Sequence, residues 1–151
     1  MALRPLRVGV LLLLGLVLGL AWNALSGRGF ALTSNVLVKP GDELVEAPEA
    51  KARLDKGALF LDARPEPFYR MAHIPGSLSL PEEVYDAAFA RLEGRLRSSL
   101  DVIVYCSGFG CDASHVVARK LKARGIPAAI LDEGWPAWQE AHYPTRSGPD
   151  P

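Results

Sequence analysis

The chain has 151 residues, 49% of them apolar, and its 17 basic and 17 acidic side chains cancel to no formal net charge. That length sets an expectation of one domain with an accessory segment, and the apolar content is enough for a packed core. A balanced charge offers no basic face, so nucleic acid is not an expected partner.

The N-terminus stands apart from the rest. Arg4 and Arg7 precede an uncharged stretch over residues 8–25, VGVLLLLGLVLGLAWNAL, close to the ~18 residues a helix needs to cross a bilayer. The arginines predict a cytoplasmic N-terminus over 1–7, a transmembrane anchor over 8–25 with Trp22 at the interface, and a globular part outside the cytoplasm. A cleaved signal peptide fits the same residues, with Ala24-Leu25-Ser26 or Gly19-Leu20-Ala21 as tolerable cleavage sites. Either reading places the domain on the periplasmic side if the source is bacterial, where disulfides are allowed. Every acid lies from Asp42 onward. Setting Arg4 and Arg7 aside leaves 15 bases against 17 acids.

Residues 26–43 read as a linker, with turn signals in Ser26-Gly27-Arg28-Gly29 and Pro40-Gly41. Short apolar runs then alternate with helical patterns. Strands are predicted over 59–61, 77–80, 102–105 and 128–131; Val102-Ile103-Val104-Tyr105 is the best, β-branched and aromatic without a breaker. Helices are predicted over 48–56, 82–97 and 113–124. The second should bury Val84, Ala87, Ala88, Leu92 and Leu96; the third should start at an Asp112 N-cap and end at Gly125. Alternating strands and helices predict an α/β fold, a central parallel sheet with helices on both faces.

The best strand runs directly into Cys106-Ser107-Gly108-Phe109-Gly110-Cys111, and the best helix follows at once. Ligands in open α/β sheets bind at the carboxyl ends of strands. Two glycines let successive N–H groups of Ser107, Gly108, Phe109, Gly110 and Cys111 turn inward, which makes an anion-binding concavity. The helix N-terminus adds partial positive charge. A cysteine at Cys106 is therefore expected to be partly thiolate and reactive toward sulfur. The competing reading is a structural cysteine buried at a strand end. No nucleotide loop, zinc spacing or serine triad accompanies it, so neither cofactor nor metal is expected.

VIVYCSGFGCDASHVVARKLKARGI resembles the active-site strand, loop and helix of rhodanese-like domains. ALFLDARPEPFYRMAHIPGSLSLP resembles their DxR…HIPGA segment, and AAILDEGWPAWQEAHYP their closing LxGGxxxW segment. The resemblance spans residues 44–145, leaving 146–151 as a tail, and implies the rhodanese-like three-layer fold, which here would follow the transmembrane helix expected over 8–25. It implies that Cys106 carries sulfane sulfur as a persulfide. It also implies supporting roles for Asp62 and Arg64, a fold-fixing His73, and a core or pocket-wall position for Trp135.

Two departures from the family matter. Active members commonly carry arginine or lysine five positions after the cysteine, where this chain has Cys111, and Asp112 follows; efficient use of thiosulfate is not expected. Tyrosine phosphatases need arginine six positions after their cysteine, and Asp112 rejects that reading. Cys111 fits either a resolving or disulfide partner of Cys106, or a small residue packed under the helix. Glu133 stands where the family usually has glycine and places an acid at the pocket mouth. His115 either faces the loop or is simply exposed. The expected partners are a small sulfur donor, an acceptor thiol or a membrane redox protein. A catalytically idle binding module is the remaining alternative.

Overall fold

The computed structural model describes residues 3–25, 41–108 and 110–149, with the side chains of the first helix described over 7–22. The chain separates into two compact units, Met1–Val36 and Leu37–Pro151. In the first, α1 (Leu3–Leu25) is a 23-residue helix. Leu11, Leu12, Leu13 and Leu14 are all exposed. Among the described residues, which include the side chains of α1 over 7–22 only, no helix is long and apolar enough to cross a membrane. The linker expectation over 26–40 lies outside the described residues.

The second unit carries a five-stranded sheet in the order β1-β5-β4-β2-β3, every pair parallel. Its strands are β1 (Leu44–Val45), β2 (Leu59–Asp62), β3 (Leu78–Ser79), β4 (Val102–Tyr105) and β5 (Ala129–Leu131). Between and after them run α2 (Ala47–Asp55), α3 (Glu66–Met71), a 3₁₀ turn over Glu82–Val84, α4 (Tyr85–Ser98), α5 (Ala113–Ala123) and α6 (Gly134–Glu140). Successive strand side chains point to opposite faces. Leu59, Leu61, Val102, Val104 and Cys106 therefore pack under α4 and α5, while Phe60, Ile103 and Tyr105 pack under α2 and α6 with Trp135 and Trp138. Both faces being covered explains why β2 and β4 are buried at every position. This is the α/β architecture expected from the alternating pattern.

Gly57 and Gly125 close α2 and α5 in left-handed conformations, φ +94° and +78°. At Gly125 the helix carbonyls of Lys122 and Leu121 accept N–H bonds from Gly125 and Ile126 at 3.0 Å each. The structure corrects four details. β1, α3 and α6 appear where no strand or helix is expected, because elements of two to seven residues are too short to show a period. The buried face of α4 is Tyr85, Ala88, Phe89 and Leu96, while Val84 and Ala87 are exposed; the two aromatics set the face. Asp112 precedes α5 but its side chain makes no cap bond. Backbone pairing also continues past 145, with His73 and Arg146 exchanging N–H bonds at 2.7 and 2.9 Å and Gly148 N–H reaching the Arg70 carbonyl at 2.9 Å.

β4 and β2 are adjacent at the centre of the sheet. The chain leaves β2 toward β3 on one side and leaves β4 toward β5 on the other. The crevice outside their carboxyl ends is the switch point where ligands bind in such sheets. Cys106 follows β4 there, and Asp62 closes β2 beside it.

Candidate active site

Cys106 is the first residue past β4 and is 3% exposed. The loop after it turns back sharply, with Gly108 and Gly110 at φ +100° and +79° and the Cys111 N–H donating to the Gly108 carbonyl at 3.0 Å. Side-chain-bearing residues rarely adopt those angles. The reversal directs the Gly108 and Ser114 N–H groups at the Cys106 sulfur and those of Ala113 and Ser107 at the Cys111 sulfur. Ser114 adds its hydroxyl, 3.3 Å from Cys106 Sγ. Phe109 lies outside the described residues.

The two cysteines are free thiols. A hydrogen bond from the Cys111 thiol is the largest influence on Cys106; burial opposes it, and the Ser114 and backbone donors reinforce it, bringing the Cys106 thiol down to about 6. Cys111 moves up for the reciprocal reason, its proton held by Cys106 and its anion disfavoured by burial. Cys106 Sγ also lies 3.3 Å from the Cys111 carbonyl oxygen, which accepts from it in the protonated state. Among the described residues, several donors face this sulfur against that one acceptor, so the negative charge belongs on Cys106. The α5 N-terminus, in whose first turn Ala113 and Ser114 lie, favours it further.

The start of α6 clamps the loop from behind. The Trp135 N–H donates to the Cys106 carbonyl at 2.8 Å. A Cβ at Gly134 would lie 2.4 Å from that carbonyl oxygen, and one at Gly108 would lie 2.8 Å from the Glu133 carbonyl. Only glycine fits at either contact. Glu133 takes the left-handed conformation at φ 54° and is exposed, which gives a physical reason for glycine to be usual there.

Asp62 and Arg64 form a buried ion pair with side chains 0% and 5% exposed. Arg64 Nε and Nη2 donate to the Asp62 carboxylate at 2.9 and 2.6 Å. Nη2 also donates to the Ala72 carbonyl at 2.7 Å. The guanidinium lies 4.5 Å above the Trp135 ring, so it stands behind the loop with its charge already matched. His73 is buried, stacked on Tyr69 at 4.0 Å, and its Nδ1 bonds the Tyr69 carbonyl at 2.9 Å. Among the described residues, no group of three or more metal-ligating side chains is present.

A rhodanese-like domain model matches residues 46–141, more than half of the chain. The chain belongs to the rhodanese-like domain family. Similar solved structures include a Bacillus halodurans protein, 21% identical over 70% of this chain and 77% of that one, TM-score 0.63. A thiosulfate sulfurtransferase from Pseudomonas aeruginosa is 28% identical over 78% of this chain and 22% of that one, TM-score 0.62. A Rhodopseudomonas palustris protein described as a possible tyrosine phosphatase is 20% identical over 79% of this chain and 98% of that one, TM-score 0.58. No curated protein matches.

Within this rhodanese-like domain the structure brings Cys106, Ser107, Gly108 and Cys111 together, with Trp135 behind them. Asp62, Arg64 and His73 lie in the supporting layer. His115 is neither exposed nor turned to the sulfur: it is buried, its Nδ1 2.9 Å from Asp42 Oδ2. Sequence reading missed Ser114 and Asp42. The signal for Ser114 was its place in the first turn after the loop; Asp42 is 73 positions from its partner and left no signal.

Proposed function

We propose that Cys106 is the catalytic thiolate of a sulfur carrier and holds sulfane sulfur as a persulfide. The thiolate attacks the outer sulfur of a small donor persulfide or polysulfide. A bond forms between Cys106 Sγ and that sulfur, the donor's S–S bond breaks, and a donor thiolate or sulfide leaves. An acceptor thiolate then attacks the outer sulfur of the Cys106 persulfide and restores the cysteine. No net electron transfer occurs. The convergence of the Gly108 and Ser114 amides, the Ser114 hydroxyl and the Cys111 thiol on one sulfur carries this reading.

Thiosulfate is a poor fit. Arg64 is committed to Asp62, and the loop's exposed end is Asp112. Glu133, whose backbone abuts Gly108, adds a second acid next to the loop. Acids at this edge repel a dianion. Asp112 stands equally against a phosphatase role. The anchor, and a domain facing away from the cytoplasm, belong to the same proposal; Arg4, Arg7 and the uncharged stretch over 8–25 support them.

The full-length chain in detergent, treated with inorganic polysulfide, should gain sulfur at Cys106 by intact mass, and Cys106→Ser should gain none. Absence of any adduct while Cys106 stays alkylatable would sink the proposal. The contact between the two thiols favours one second reading, dithiol–disulfide exchange with a membrane redox protein. It requires a Cys106–Cys111 bond in air-oxidised protein.

A further inference from the structure

We propose that Cys111 resolves the Cys106 persulfide, so that the same site reduces sulfane sulfur to sulfide and closes as a Cys106–Cys111 disulfide. This rests on the carrier reading above and adds a second outcome to it. Transfer and release differ in which sulfur is attacked. An external acceptor attacks the outer sulfur, because Cys106, which holds the inner one, is a buried residue, 3% exposed. Cys111 packs against the same core cluster that buries Cys106, and its carbonyl oxygen is 3.3 Å from Cys106 Sγ, so the loop that buries the inner sulfur also carries a second thiol.

The loop geometry already brings the pair together. Cys106 Sγ is 3.3 Å from the Cys111 carbonyl oxygen, and the Cys111 N–H is tied to Gly108 inside the reversal. A Cys106–Cys111 bond requires the two side chains to turn toward each other within that reversal. The Ser107 and Ala113 amides face the Cys111 sulfur and stabilise the charge it acquires as its proton departs. Two nests of donors, one for each sulfur, suit a loop in which both sulfurs react.

The step balances internally. The Cys111 sulfur attacks Cys106 Sγ and the bond from Sγ to the outer sulfur breaks. The outer sulfur leaves as hydrosulfide carrying the proton that Cys111 held. Sulfane sulfur is reduced by two electrons and the two cysteines are oxidised to the disulfide. Return to the dithiol requires an external dithiol, which is oxidised to its own disulfide by exchange. Without that reductant the domain performs one turnover and stops.

The test uses the reduced full-length chain in detergent, exposed to inorganic polysulfide and then freed of it before sulfide and intact mass are followed. Wild type should release about one equivalent of sulfide and end two hydrogens lighter than the reduced protein. Cys111→Ser, with Cys111→Ala as a second variant, should retain the added sulfur on Cys106 and release less than about a tenth as much sulfide. Wild type that keeps its persulfide as long as Cys111→Ser overturns the inference and leaves the carrier reading intact. Wild type that oxidises to the disulfide while neither variant takes up sulfur overturns it in favour of plain dithiol exchange. If no form takes up sulfur and Cys106 stays alkylatable, inference and carrier reading fall together.

Discussion

Two strand ends meet at the centre of this sheet, and they hold charge in opposite ways. The end of β2 carries Asp62 and Arg64, an anion and a cation that satisfy each other in full burial. The end of β4 carries Cys106, an anion held by amides, a hydroxyl and a neighbouring thiol, with no cation in its loop. The first arrangement is inert because neither partner has charge to offer. The second leaves its charge on one sulfur, whose thiol is lowered to about 6 by neutral donors rather than by a cation, which is the arrangement the proposed chemistry requires. Trp135 links the two, donating to the Cys106 carbonyl on one side and lying under the Arg64 guanidinium on the other.

Breaking the β2 pair should have the largest effect. Asp62→Ala leaves Arg64 buried without its counter-ion, a change that costs about 3–5 kcal/mol. Urea denaturation should show the lowered midpoint; a loss below about 1 kcal/mol would mean that the pair does not hold this end of the sheet. Supplying β4 with the cation it lacks should come next. Cys111→Arg adds a charge-assisted contact of about 1.5–3 kcal/mol, roughly ten- to a hundredfold in kcat/KM toward thiosulfate. No gain in that assay would show that the missing cation is not what limits thiosulfate use.

The dipoles themselves can be titrated. Because the Cys106 thiol is lowered to about 6, its thiolate persists above that pH and is lost as pH falls through it. Alkylation by iodoacetamide should therefore be nearly flat from pH 8 to 7 and fall about tenfold per unit well below 6. Ser114→Ala should shift the midpoint upward by roughly half to one unit, the value of one hydrogen bond at about 1 kcal/mol. A midpoint near that of an ordinary thiol in the wild type would remove the basis for the comparison. The smallest effect is expected at the clamp. Glu133→Gly relieves a left-handed backbone at φ 54° and should raise stability by about 1 kcal/mol, read from the same urea curves. A destabilised variant would show that the Glu133 side chain makes a compensating contact.

Legibility in the sequence followed the length scale of each feature. β4 and α5 were readable because a β-branched run and an eleven-residue amphipathic stretch each bury a face that shows in the pattern. The cysteine loop was readable because two glycines between a strand and a helix have few other uses. β1 and α6 were not, since two and seven residues cannot show a period. Likewise α4 was found but turned, because Tyr85 and Phe89 outweigh the smaller residues that suggested its face.

By itself the sequence determined the α/β class, the position of Cys106 at a strand end and the absence of a cation from its loop. These are local matters, decided by residue type and spacing. Only the tertiary structure decided that His115 pairs with Asp42, that Arg64 has no charge to lend, and that the Cys111 thiol and Ser114 hydroxyl meet on one sulfur. The physical reason is the same in each case. A polar side chain's role depends on which partner it meets after the chain folds, and spacing along the chain does not encode that distance.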